Sequence, residues 1–137
     1  MTGPEQHRVL ETRTGEDTLE RIQQVLDETW AAHEIPDIAR MHVELAVSEI
    51  ASNIIEHSAD GKPVRLRMEV ALLPDAVRIT FTDDGHAAPV DLSTVAMPDD
   101  TAERGRGLAI AHRVLDEISY RRDADGNHWT LVRRLST

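Results

Sequence analysis

The sequence contains no cysteine. Disulfides and thiolate zinc sites are excluded, and a reducing compartment fits the chain. Aromatic residues are scarce: two Trp, one Tyr and one Phe. Aliphatic side chains must therefore fill most of a core. No segment approaches the roughly 20 apolar residues that span a bilayer. The N-terminal MTGPEQHRVLETRTGED has no apolar stretch of the kind a signal peptide carries. The expectation is a soluble cytoplasmic protein. Cations are outnumbered, 15 Lys and Arg against 25 Asp and Glu, for a formal net charge of −10. That balance opposes nucleic-acid binding, which needs phosphate neutralisation, and it suits a basic protein partner. What remains is 137 residues, 40% hydrophobic and spread along the chain. That is one domain over residues 1–137, long enough to bury a core.

Several chemistries fall away with the missing residues. No pair among the seven histidines reads H-E-x-x-H. His42-Val43-Glu44 is an H-x-E, but no cysteine pair completes a zinc deaminase site. There is no G-x-S-x-G elbow. Gly105-Arg106-Gly107 is not a full G-x-G-x-x-G fingerprint and lacks the Lys-Ser/Thr ending of a P-loop.

Periodicity sets the expected elements. His7 to Arg13 reads as a short strand. Thr18 to Ala32 reads as a helix with Leu19, Ile22, Val25, Leu26 and Trp30 on one side. Pro36 suits the first turn of a second helix running to about Ser58, with Val43, Val47, Ile50 and Ile54 as its apolar stripe. Val64 to Val70 and Val77 to Thr82 alternate strictly, so the sheet has one covered face and one wet face. Leu73-Pro74-Asp75 connects them. A long polar stretch, 85–104, precedes a helix from Gly105 to Ile118. Ile118 to Arg122 and Asn127 to Leu135 read as a final hairpin around Asp123-Ala124-Asp125-Gly126. The fold class expected is α/β, a two-layer sandwich with helices on one face of a mostly antiparallel mixed sheet.

Three segments carry chemistry. Glu49, Asn53 and His57 are spaced i, i+4, i+8 and share one helical face beside the apolar stripe. Asn53 can supply a hard oxygen to magnesium. Glu49 can orient or deprotonate a hydroxyl, and His57 can touch a phosphate. Equally, these can be ordinary polar residues of a helix surface. Asp83 shares parity with Val77, Ile79 and Phe81, so its carboxylate should point to the covered face. There it needs a donor, such as the exocyclic amine of a base. Asp84 should face water. Asp83-Asp84-Gly85 is also common turn chemistry. Gly105 and Gly107 let backbone amides approach a phosphate at a helix N-terminus, with Arg104 and Arg106 as the nearest cations. Asn127 shares parity with Trp129 and Leu131 and can bond near a base, or simply begin the turn.

Taken in order, these segments resemble the histidine-kinase-like ATPases, which use the Bergerat nucleotide fold. ELAVSEIASNIIEHS is similar to their N-box, FTDDGHAAP to the first glycine box D-x-G-x-G, and ERGRGLAI to the second, G-x-G-L. GNHWTLVRRL is similar to their last strand. The likeness runs over about residues 10 to 135. Within the superfamily the chain most resembles the anti-sigma factor serine/threonine kinases of bacterial partner-switching systems. A sensor kinase would need a helical pair bearing a phospho-accepting histidine, for which there is no room.

The resemblance implies ATP or ADP with Mg²⁺ as ligands and a lid over about 85–104. It implies Glu49 as catalytic base and Asn53 as magnesium ligand. Asp83 would bind the adenine amine and Gly85 would shape the base pocket. Gly105, Arg106, Gly107 and Leu108 would form the phosphate wall, with Arg104 near the γ-phosphate. His57 sits where the N-box often ends in a basic or polar residue, and is no phospho-acceptor. Two positions depart from the pattern. Ala87 stands at the second glycine of the first box, and alanine resists positive φ. Asn127 stands where threonine is usual and can still hydrogen-bond. Thr130, of opposite parity, is the other candidate there. The implied partners are an anti-anti-sigma (STAS-type) substrate, a sigma factor or another regulated protein, and a second copy in a homodimer, without nucleic acid or membrane. The same fold would also serve as a nucleotide-binding module that sequesters a partner without phosphotransfer.

Overall fold

A computed structural model describes residues 6–58, 62–87 and 103–135, with side chains over 7–56, 62–87 and 109–135. The order is β1 (Gln6–Arg13), α1 (Thr18–Ala32), α2 (Asp37–Asn53), a π turn (Ile54–Ser58), β2 (Arg65–Leu72), β3 (Ala76–Asp83), α3 (Glu103–Val114), β4 (Glu117–Asp123) and β5 (Gly126–Arg134). The five strands lie in the order β1-β2-β3-β5-β4. Every neighbouring pair is antiparallel. The mixed sheet expected from the sequence is thus corrected. Both hairpins are tight, and β1 and β5 enter beside β2 and β3 in the reversed direction.

Alternation along each strand sets inward rows under the helices, three of which lead to the polar end of the sheet. Arg8, Val70, Ile79, Leu131 and Ile118 form the first, and Leu10, Met68, Phe81, Trp129 and Tyr120 the second. That second row holds three of the four aromatic residues. Phe81 and Trp129 are fully buried, and the Tyr120 ring lies 4.7 Å from that of Trp129, tilted by 47°. Each such buried side chain contributes roughly 1.5–3 kcal/mol. The third row is Thr12, Leu66, Asp83 and Asn127, and it ends at Arg122, which is exposed on the edge strand β4. The covered face therefore turns from aromatic to polar within one row, at one end of the sheet.

The helices complete the core. Val43, Val47, Ile50 and Ile54 are all buried as expected, and Ala39, Ala46 and Ala51 let α2 sit close. Trp30 of α1 joins them, and its indole N–H donates to Glu44 Oε2 at 2.7 Å. Leu19 is a correction: it is 44% exposed, because the covered face of α1 runs through Thr18, Ile22, Leu26 and Thr29 and Leu19 lies off it. Pro36 precedes α2 as its N-cap, one residue outside the first turn. The third helix ends at Val114 and not at Ile118, which belongs to β4. The outer sheet face is wet and carries paired charges such as His7–Glu69 and Arg121–Asp123.

Candidate functional site

The polar row is a connected network. Asp83 is 1% exposed and Asn127 0%. The Asn127 amide nitrogen donates to Asp83 Oδ1 at 2.9 Å and to the His86 carbonyl at 2.6 Å. The Gly85 amide also donates to Asp83 Oδ1, at 2.9 Å. Asp83 is therefore both the last inward residue of its strand and the start of a turn. The two readings of Asp-Asp-Gly do not compete. Asp84 faces out as expected, and its Oδ1 accepts from the Arg65 amide at 2.9 Å. Burial pushes the Asp83 carboxyl above the ordinary aspartate range, against the opposing bonds from Asn127 and Gly85. Its second oxygen, Oδ2, is buried and has no partner among the described residues. A buried acceptor left in that state is expensive, and a ligand N–H would satisfy it.

A second orphan lies on α2. Asn53 is 6% exposed, and neither its amide oxygen nor its nitrogen has a partner among the described residues. Glu49, one turn earlier, is half-buried. The chain leaves the π turn at Ser58 and re-enters the sheet at Arg65, beside Leu66 of the polar row. The α2 neighbours of Asn53, Ile50, Ala51 and Ile54, pack in one core with Ile79 and Phe81 of the strand that carries Asp83. The Asn53 oxygen is the kind of hard donor that suits Mg²⁺, which needs few protein ligands when phosphates supply the rest. Among the described residues, no group of three or more His, Asp or Glu could hold a metal by itself.

The expected alignment with His57 does not continue as α-helix. Ile54–Ser58 is a π turn, which widens the repeat and breaks the i, i+4, i+8 phase after Asn53. The His57 side chain lies outside those described. The glycine pair is also shifted. α3 begins at Glu103, so Gly105 and Gly107 lie inside its first turns and do not precede it. The side chains of Arg104, Arg106 and Leu108 lie outside those described, as does most of the lid at 88–102. Helix α3 runs about 18 Å. Its C-terminus feeds β4 at Glu117, the end of the sheet remote from Asp83. Its N-terminus carries the positive end of its dipole. Ala87 is exposed. Thr130 is set apart: it pairs with Thr80 and Ser119 on the outer face, so strand parity removes it from the Asp83 network.

Two residues escaped the sequence reading. Arg122 Nη1 donates to the Asn127 amide oxygen at 3.0 Å and to the Gly85 carbonyl at 2.9 Å. Tyr120 Oη donates to the same amide oxygen at 2.5 Å. The available signal was the parity of β4, in which Tyr120 and Arg122 alternate with Ser119 and Arg121. Gly126 makes this junction possible. Its φ is +126°, and an added Cβ would lie 2.1 Å from the Asp83 carbonyl oxygen.

The profile of the histidine kinase-like ATPase domain matches residues 13–133. No curated protein matches the chain. Among solved structures, the histidine kinase domain of the blue-light activated histidine kinase from Erythrobacter litoralis EL346 is similar, with a TM-score of 0.56 at 20% identity. The match covers 86% of this chain and 59% of that one, a likeness of fold. Among the described residues no helix is long and apolar enough to cross a membrane. The profile covers nearly the whole sequence, and the chain belongs to the histidine kinase-like ATPase domain family.

Proposed function

We propose that the protein binds ATP with Mg²⁺ at the polar end of the sheet and acts as an anti-sigma factor and serine/threonine kinase, phosphorylating an anti-anti-sigma (STAS-type) antagonist. The nucleotide part is supported by Asp83 Oδ2, buried and unpartnered among the described residues in the polar row of the sheet, and by the buried, unpartnered Asn53 amide on α2. Asp83 receives the adenine amine, and Gly85 shapes the pocket around it. Asn53 holds Mg²⁺, which when bound neutralises phosphate charge. Glu49 takes the proton of the substrate hydroxyl as its oxygen bonds to the γ-phosphorus. The bond from that phosphorus to the bridging oxygen breaks, and ADP leaves with the electron pair. Amides at the N-terminus of α3 hold the transferring group. The sigma-holding role and a homodimeric state rest on the resemblance in the N-box and glycine boxes, and the cytoplasmic setting rests on the cysteine-free sequence and its lack of a long apolar run.

The test is phosphotransfer from labelled ATP to a candidate STAS-type antagonist. Phosphoserine or phosphothreonine formed by the wild type and lost in Glu49→Ala supports the kinase. Ala87 and Asn127, in place of the family's usual glycine and threonine, favour a second reading: a module that binds nucleotide and partner without transfer. Tight MgATP binding with no phosphorylated product would establish that reading instead.

A further inference from the structure

The Asn127 amide is held by four contacts that admit only one orientation. Its oxygen faces two donors, Tyr120 Oη at 2.5 Å and Arg122 Nη1 at 3.0 Å. Its nitrogen faces two acceptors, Asp83 Oδ1 at 2.9 Å and the His86 carbonyl at 2.6 Å. A flipped amide would set its NH₂ against a guanidinium, which cannot accept, and its oxygen against a carboxylate and a carbonyl, which cannot donate. The order of donors and acceptors therefore runs from β4 through β5 to β3. It ends with Asp83 Oδ1 doubly bonded and Asp83 Oδ2 alone open. Arg122 closes the circuit from the other side, since the same nitrogen holds the Gly85 carbonyl at 2.9 Å and so fixes the turn after Asp83.

From this we infer that Arg122 and Tyr120 are positioning residues for base recognition. They lock Asn127 so that Asp83 presents one oxygen to the 6-amino group of adenine. Neither residue is placed against the nucleotide itself. The inference rests on the ATP reading above, and deepens it by naming residues of β4 that set base selectivity. Without the Arg122 donor, the Asn127 amide oxygen is held by Tyr120 Oη alone and the Gly85 carbonyl loses its tie. The carboxylate then samples more rotamers, and discrimination by the 6-amino group falls. Triphosphate and ribose binding do not depend on this chain of bonds.

The experiment compares dissociation constants of ATP and of purine riboside triphosphate, which differ only by the 6-amino group. It uses the full chain with Mg²⁺, as wild type, Arg122→Ala, Arg122→Lys and Tyr120→Phe. Both ligands are measured on the same preparation, so any misfolded fraction cancels in the ratio, and circular dichroism checks each variant. The wild type should prefer ATP. Arg122→Ala should lower that preference about fivefold to tenfold, the scale of one lost hydrogen bond to a polar group. The affinity for purine riboside triphosphate should stay within about twofold. Tyr120→Phe, which keeps the ring on Trp129, should lower the preference less, and Arg122→Lys should restore part of it. An unchanged preference in Arg122→Ala, or equal weakening of both ligands, would overturn the inference while leaving ATP binding intact. A wild type that binds neither ligand, or binds both equally, would overturn the adenine reading and this inference with it.

Discussion

At the residue scale, Asp83 is held in a state that favours a ligand over the empty fold. Burial raises its pKa above the ordinary 3.8, so folding opposes its ionisation. The resulting destabilisation is complete above the raised pKa and absent below 3.8. Asp83→Asn keeps the shape, keeps an oxygen for Asn127 and Gly85, and removes the buried charge. Its expected melting temperature at pH 7 is no lower than that of wild type, and any advantage should shrink as pH falls toward 3.8. Its ATP affinity should fall about tenfold or more, because an NH₂ then faces the adenine amine. Thermal melts across pH, with binding measured alongside, check both halves. Gly126→Ala tests the junction beneath. The positive φ and the close Asp83 carbonyl predict a loss of about 1–3 kcal/mol by chemical denaturation. The inward direction of Asp83 and Asn127 was legible, because parity can be counted from Phe81 and Trp129. The roles of Arg122 and Tyr120 were not. Parity places them inward, but only the β4–β5 register sets Arg122 opposite Asn127.

At the scale of elements, the end of α2 and the start of α3 determine what the site can do. The apolar stripe of α2 was readable at helical spacing, but the π turn after Asn53 was not. A change from i+4 to i+5 bonding leaves no trace in hydrophobic periodicity over five residues. The glycines of α3 misled in a related way. Gly reads as helix punctuation, yet α3 begins before Gly105 and continues through Gly107. Helical glycine is about 1 kcal/mol worse than alanine. Gly107→Ala is therefore expected to stabilise the ligand-free protein by about 0.5–1 kcal/mol. If the amides of this turn approach phosphate, the added methyl should weaken ATP binding at the same time. Denaturant melts paired with ATP titration give the opposite signs predicted.

For the whole molecule, the alternation of β2 and β3 and the three chemical segments were legible because each is local. The sheet order was not, since the β3–β5 pairing joins residues far apart in sequence and leaves no local mark. That pairing joins separate segments: it sets Asn127 opposite Asp83. A ligand bridging these groups should stabilise the fold as a whole. At about 100 times its dissociation constant, MgATP should add ~2.7 kcal/mol, read as a rise in melting temperature.

The most direct measurement is isothermal titration of ATP into the wild type, Asp83→Asn and Asn53→Ala, each with Mg²⁺ and with EDTA. One site per chain is expected in the wild type, strengthened by Mg²⁺. Asp83→Asn should abolish or sharply weaken it under both conditions, and Asn53→Ala should lose only the Mg²⁺-dependent part. No heat from the wild type, or binding indifferent to both substitutions, would contradict the proposed ATP site.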